Sequence, residues 1–279
     1  MFGLGTLSGI LFRQLAVPRG GVVNVVILAG GYGTRLSEET DVRPKPMVEI
    51  GGRPLLWHLM KFFAHYGHRD FIVCLGYKGF VVKEYFANYR LHNSDLTVEL
   101  AREGLTFHSS PSEDWRITLV DTGLDTMTGG RLRRVRSHLD DQPFLLTYGD
   151  GLGAVDLDRL VQFHRRHGKA ATVTSVQPPG RFGVVEIGEG DTVRGFHEKP
   201  VEAGGWINAG FFVMNPSVLE YLDGDDTILE THALPRMAEG GELMAFRHTG
   251  FWKPMDTLRD KRALQALWDE GHAPWKLWS

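Results

Sequence analysis

The sequence has one cysteine, Cys74, no apolar run approaching 18 residues, and almost no excess of charge, with 31 lysines and arginines against 34 aspartates and glutamates. Each scarcity excludes something. A lone cysteine cannot build a disulfide framework within the chain, and its setting in Phe71-Ile72-Val73-Cys74-Leu75 reads as a buried, inert thiol rather than a nucleophile. Without a long apolar run, no membrane-spanning helix is expected. A net charge of -3 leaves no basic footprint for a nucleic-acid backbone or an anionic membrane surface, so neither is an expected partner and any phosphate binding must be local. The seven tryptophans are scattered, which gives no aromatic ladder for bases. Internal repeats and low-complexity linkers are also missing.

What is there is an ordinary globular composition, 42% hydrophobic and 23% charged, on a 279-residue chain near the upper end of what one core supports. Residues 1–21 are glycine-rich, and their first cations, Arg13 and Arg19, follow the apolar stretch, the reverse of a signal peptide. They are expected to form a poorly ordered extension ahead of a single domain, 22–279. From Val22 onward short apolar runs alternate with longer amphipathic ones, the pattern of an α/β protein with a mixed, mostly parallel sheet flanked by helices. The pattern predicts strands over 22–29, 71–75, 117–120, 144–148, 171–176, 183–187, 207–214 and 243–247. Helices are predicted over 54–66, 80–88, 132–138, 157–167, 228–238 and 257–270.

Directly after the first strand stands Leu28-Ala29-Gly30-Gly31-Tyr32-Gly33-Thr34-Arg35-Leu36. Its glycines let backbone N–H groups turn toward a bound anion with no side chain in the way, and Arg35 closes the loop with a cation. The P-loop requires Lys followed by Ser or Thr after its last glycine, and Thr34-Arg35 stands there instead. The dinucleotide fingerprint fails because Leu36 occupies its third glycine position. In Arg43-Pro44-Lys45-Pro46 the prolines remove donors and bias their predecessors toward extended backbone, which predicts a stiff, extended arm carrying Lys45. A surface lysine between two prolines is the plain alternative.

Loop and arm together resemble the sugar nucleotidyltransferases, whose pattern is a glycine-rich loop ending in Thr-Arg-Leu followed by Pro-Lys-Pro. The resemblance continues through Met127-Thr128-Gly129-Gly130-Arg131-Leu132, Thr147-Tyr148-Gly149-Asp150-Gly151, Pro179-Gly180-Arg181-Phe182-Gly183, Glu198-Lys199-Pro200, Trp206-Ile207-Asn208-Ala209-Gly210 and Phe251-Trp252-Lys253-Pro254-Met255-Asp256, and covers about Val22 to Trp278. Ser37-Glu38-Glu39-Thr40, the 127–132 segment and Met255-Asp256-Thr257-Leu258-Arg259-Asp260-Lys261 are most similar to the glucose-1-phosphate cytidylyltransferases. The resemblance implies the Rossmann-like nucleotide-diphospho-sugar transferase fold. It also implies a cytoplasmic, magnesium-dependent homo-oligomer that uses CTP and glucose 1-phosphate. Its CDP-glucose would go to dideoxysugar, O-antigen or lipopolysaccharide synthesis. The cytosine preference comes from the resemblance alone; dTTP or UTP would suit the same motifs, and an idle sugar-nucleotide sensor would need only some of them.

In the implied reaction a sugar phosphate oxygen attacks the α-phosphorus of the nucleotide, so positioning and charge stabilisation matter more than a general base. Asp150 and Asp256 would be the magnesium ligands, since the ion takes one or two carboxylates together with phosphate oxygens. A Gly-Asp-Gly aspartate equally suits a turn, and Asp256 alone would read as a helix N-cap. Arg35 would neutralise the departing pyrophosphate and Lys45 would hold the α-phosphate. Leu28, Ala29, Gly30, Gly31, Gly33, Thr34, Thr126, Gly130, Arg131 and Tyr148 complete the implied nucleotide site, although Arg131 could equally sit on a solvated helix face with Arg133, Arg134 and Arg136. Lys199 would bind the sugar phosphate and Glu198 and Asn208 the sugar hydroxyls, with Gly183 and Gly210 letting the sugar approach backbone. His164 and His167, three apart, read as a solvated helix end rather than a metal pair. Asp223-Gly224-Asp225 reads as a turn rather than a glycosyltransferase Asp-x-Asp.

Overall fold

A computed structural model describes residues 24–101, 104–109, 113–177, 184–187, 193–197 and 205–278. The expected extension over 1–21 lies outside them. Seven strands form the central sheet: β1 (Asn24–Leu28), β2 (Asp70–Leu75), β3 (Arg116–Asp121), β4 (Phe144–Tyr148), β5 (Ala171–Val176), β6 (Ile207–Met214) and β7 (Leu243–Arg247), in the order β7-β5-β6-β4-β1-β2-β3. Only β6 runs against its neighbours; the pairs β1–β2, β2–β3, β1–β4 and β5–β7 are parallel. The expected mixed, mostly parallel sheet is therefore present, with β1 between β2 and β4, so that the chain turns one way to β2 and later the other way to β4. In open α/β sheets that reversal opens a crevice at the carboxyl ends of the strands.

Strand alternation sends successive side chains to opposite faces. Val25, Ile27, Phe71, Val73, Leu75, Leu145, Phe211 and Val213 face one core, while Val26, Leu28, Ile72, Cys74, Leu146, Phe212 and Met214 face the other. Helices α1 (Leu55–His65), α4 (Leu157–His167) and α6 (Leu258–Asp269) contribute to the first core. Helices α3 (Thr128–Arg134) and α5 (Leu234–Glu239) close the second, and α2 (Gly79–Ala87) sends Val82 into the first. Burial pushes the Cys74 thiol up to about 12, which keeps it the inert core residue expected.

Several local expectations need correction. The Arg43–Pro46 arm is extended at Pro44, but Lys45–Met47 is a 3-10 turn, closed by Met47 N–H to Pro44 O at 2.8 Å and Val48 N–H to Lys45 O at 3.1 Å. Pro46 is tolerated because it sits in the first turn, where its missing N–H would have had no partner. Helix α3 begins four residues before the expected 132, taking in Gly129 and Gly130. His164 is not solvated: it is buried, and its Nδ1 and the Nε2 of His167 both meet Thr172 Oγ1, at 2.9 and 2.7 Å. Asp225 does lie in a turn, over 224–227, with Asp223 just before it; they pair with Arg134 and Arg236. The short ladders 151–153 with 252–254 and 96–99 with 104–107, and Val193–His197 beside Val184–Ile187, were not expected because runs of three to five residues carry too little periodicity.

Candidate active site

Above the carboxyl ends of β1 and β4 lies a cavity of about 610 Å³. Its floor is the glycine loop. Ala29 N–H still donates to Cys74 O of β2 at 3.0 Å, and Tyr77 N–H donates to Gly30 O at 3.1 Å, so the loop leaves the sheet anchored on its β2 side. Gly33 has a φ of +67°, a left-handed conformation that strains any other residue, and a Cβ there would stand 2.9 Å from Thr40 Cγ2. Thr40 in turn donates to Leu36 O at 2.9 Å, stapling the 3-10 turn Thr34–Leu36. Arg35 has its backbone in that turn; its side chain is not among those described.

The arm places Lys45 beneath the loop. Pro46 packs on Gly149, where a Cβ would lie 2.9 Å from Pro46 Cγ, and this fit buries Lys45. The lysine Nζ lies 2.9 Å from Asp150 Oδ2 and 2.6 Å from Asp256 Oδ1. Those carboxylates are brought together by the short ladder, in which Gly151 pairs with Pro254 and Met255 N–H donates to Asp150 O at 2.8 Å. Asp256 is not the N-cap of α6. Thr257 takes that place in a capping box with Asp260, which leaves the Asp256 carboxylate to face Lys45.

The two carboxylates converge on one cation. Among the described residues no cluster of three or more His, Cys, Asp or Glu side chains could hold a metal ion by itself. A pair of carboxylates with the remaining positions left to water or phosphate is the donor set that suits magnesium rather than zinc.

Arg131 is neither on a solvated face nor free to reach far into the cavity. It is 5% exposed. Nη1 donates to Leu75 O (3.0 Å), Thr122 Oγ1 (2.8 Å) and Gly123 O (2.7 Å), and Nη2 to Gly30 O and Leu124 O (both 3.1 Å). The guanidinium thus ties the glycine loop to β2 and to the 122–124 segment while its edge lines the cavity. Gly30 must be glycine for this reason, since a Cβ would stand 2.2 Å from Nη1.

Leu28, Ala29, Gly30, Gly31, Gly33, Thr34, Lys45, Thr126, Arg131, Tyr148 and Asp150 all line the cavity. Gly130 does not. Its N–H donates to Thr227 O at 3.1 Å and a Cβ would strike Asp225 O at 2.3 Å, so it serves the close packing of α3 on the 225–227 segment. Asn208 and Gly210 lie beside the cavity, next to Tyr148. Gly183, Glu198 and Lys199 lie outside the described residues. Tyr32, Asp125 and Glu230 were not foreseen; Tyr32 donates to Asp125 Oδ1 at 2.8 Å across the cavity mouth. Burial and the adjacent Glu230 carboxylate push the Tyr148 phenol well above its ordinary range, so it remains a donor.

Residues 24–258 match the nucleotidyl transferase family. The chain is 57% identical over 257 residues to the glucose-1-phosphate cytidylyltransferase of Salmonella typhimurium, a match covering 92% of this chain and 100% of that one. It is 42% identical, over the same shares, to the probable glucose-1-phosphate cytidylyltransferase of Bacillus subtilis. The crystal structure of HddC from Yersinia pseudotuberculosis has the same fold, with a TM-score of 0.65 at 22% identity, covering 88% of this chain and 100% of that one. A glycine loop over a lysine shared by two carboxylates, on a sheet of this topology and with this identity along the chain, places the protein in the nucleotidyl transferase family and, within it, among the glucose-1-phosphate cytidylyltransferases.

Proposed function

We propose that the protein transfers the cytidylyl group of CTP to glucose 1-phosphate, giving CDP-glucose and pyrophosphate. The observation that carries this reading is Lys45 held between Asp150 and Asp256 at 2.9 and 2.6 Å beneath the glycine loop, in a chain 57% identical to the Salmonella enzyme. A phosphate oxygen of glucose 1-phosphate attacks the α-phosphorus in line, a new P–O bond forms, and the bond to the bridging oxygen of the β-phosphate breaks with its electrons leaving on pyrophosphate. The attacker is already an anion, so the chain needs to supply orientation and positive charge rather than a base.

Backbone N–H groups of residues 30–34 cradle the triphosphate, Arg35 offsets the charge of the departing pyrophosphate, and Lys45 holds the α-phosphate where charge develops. Asp150 and Asp256 would hold Mg2+, which would supply positive charge against the phosphates. Without the ion, the Lys45 ammonium keeps the two carboxylates from repelling each other. Arg131 acts through the backbone, keeping Gly30 O and the 122–124 segment in place. Lys199 binds the sugar phosphate, and Glu198 and Asn208 meet the hexose hydroxyls where Gly183 and Gly210 leave room. We assign the protein to the cytoplasm, as a homo-oligomer whose CDP-glucose feeds dideoxysugar and surface-polysaccharide synthesis. Among the described residues no helix is long and apolar enough to cross a membrane.

The test is pyrophosphate release with glucose 1-phosphate and magnesium, supplying CTP, UTP, dTTP, ATP and GTP separately. Preference for CTP is expected. Preference for another nucleotide overturns the base assignment and keeps the chemistry; silence with all five, from folded protein, overturns the reading.

A further inference from the structure

Besides Asp125, which pairs with Tyr32, the cavity wall includes a carboxylate to which the mechanism above gives no part, that of Glu230. It stands on a π-helical turn, Leu229–Ala233, that runs directly into α5. Such turns are rare and recur at functional sites. Both carboxylate oxygens are engaged from the protein side: Oε2 accepts from Thr128 Oγ1 at 2.7 Å, and Oε1 accepts from the Tyr148 hydroxyl. Thr128 Oγ1 itself accepts from Leu229 N–H at 2.8 Å, so the π turn and the start of α3 fix one another.

The consequence passes to Asn208. With its proton directed at Glu230, the Tyr148 hydroxyl presents a lone pair, and Asn208 Nδ2 lies 3.5 Å from it. At the other end of the same amide, Oδ1 accepts from Gly210 N–H at 2.7 Å. The Tyr148 ring lies against Gly210 so closely that a Cβ there would stand 2.5 Å from Cδ2. Thr128, Glu230, Tyr148 and Asn208 therefore form one polar chain reaching from the nucleotide side of the site to β6.

The geometry points to Glu230 as a positioning residue for sugar specificity: it orients the Tyr148 hydroxyl, and through it the Asn208 amide, against the hydroxyls of the incoming hexose 1-phosphate. This rests on the cytidylyltransferase reading. Epimeric hexoses differ in the direction of one hydroxyl, and a site whose polar groups are held rigid rejects the wrong epimer by leaving those groups unpaired. Releasing Asn208 loosens that rejection without touching Lys45 or the glycine loop.

The experiment measures kcat and KM of the full-length enzyme for glucose 1-phosphate and galactose 1-phosphate at saturating CTP, in wild type, Glu230→Ala, Glu230→Gln, Tyr148→Phe and the Glu230→Ala/Tyr148→Phe double variant. Glu230→Ala and Tyr148→Phe are each expected to narrow the glucose-to-galactose ratio of kcat/KM about tenfold. Both should act mainly through KM for the sugar, and Glu230→Ala should leave KM for CTP within about threefold. Glu230→Gln keeps an acceptor for Tyr148 and should recover most of the ratio, and the double variant should be no worse than either single one. An unchanged ratio, an equal loss for CTP and sugar, or effects that add in the double variant overturn the inference. Should Glu230→Ala not fold, Tyr148→Phe, which keeps the ring against Gly210, decides alone. No CDP-glucose from wild type overturns the transferase reading itself; product from wild type with an unchanged ratio in the variants overturns only the role of Glu230.

Discussion

Replacing Arg131 by lysine keeps the charge and removes the fork. The guanidinium serves five acceptors at 2.7–3.1 Å: Leu75 O, Thr122 Oγ1, Gly123 O, Gly30 O and Leu124 O. Two of them have other partners, because Leu75 O also accepts from Thr122 and Gly30 O from Tyr77 N–H. An ammonium has three donors radiating from one point and cannot span acceptors on three segments. At least two charged hydrogen bonds are lost, each contributing about 1.5 kcal/mol or more, so Arg131→Lys should destabilise the fold by about 3 kcal/mol. For a domain of this size each kcal/mol lowers Tm by about 2–4 °C, which places the variant roughly 6–12 °C below wild type. Thermal unfolding followed by circular dichroism reads this directly. The glycine loop should loosen with it, and KM for the nucleotide should rise. A Tm within about 2 °C of wild type would mean that the five contacts do not hold the loop, and the assignment of Arg131 as its anchor would be wrong.

Lys45→Ala and Asp256→Ala should each lower turnover by on the order of 10²-fold or more while the far-UV spectrum stays unchanged, and wild-type turnover in either removes that residue from the mechanism. Neighbouring glycines should part company: a Cβ at Gly31 meets nothing within 4 Å, whereas one at Gly30 stands 2.2 Å from the Arg131 guanidinium. Gly31→Ala is therefore expected to keep its Tm and to raise KM for CTP, while Gly30→Ala loses about 1–3 kcal/mol of stability in urea titrations; equal Tm values for the two would contradict the geometry. His58 is buried with Nε2 2.8 Å from Ile50 O and Nδ1 3.4 Å from Trp275 Nε1, an arrangement that suits the neutral ring. Burial lowers its pKa from 6.5 to about 4. The unfolded chain takes up this proton first, so the stability His58 contributes is complete above pH 6.5 and is lost as pH falls toward 4, by roughly 3 kcal/mol at about 1.4 kcal/mol per pH unit. Urea unfolding at several pH values should show that slope in wild type and a shallower one in His58→Leu.

The amino-acid sequence by itself determined what is local. Short apolar runs at 71–75 and 144–148 placed β2 and β4 correctly, since a strand with a core on each face reads as a nearly unbroken apolar stretch. The glycines of 30–33 and the Pro-Lys-Pro unit announced an anion loop with a lysine close behind, because backbone freedom and its removal are properties of single residues. Tertiary structure alone decided which distant groups meet. Lys45 lies 105 residues from Asp150 and 211 from Asp256, and what joins them is strand order and a three-residue ladder. Arg131 reads in sequence as one of four arginines within six positions, and only the packing of α3 against β1 and the 225–227 segment turns it inward beneath Gly30. Glu230 left no trace, since a π turn is specified by contacts with Thr128 and Tyr148, not by periodicity. The division has one physical cause: dihedral preference and hydrophobic period act over a few residues, while the coincidence of charges in a site is set by how whole elements cross, and that is a sum over packing at many positions at once.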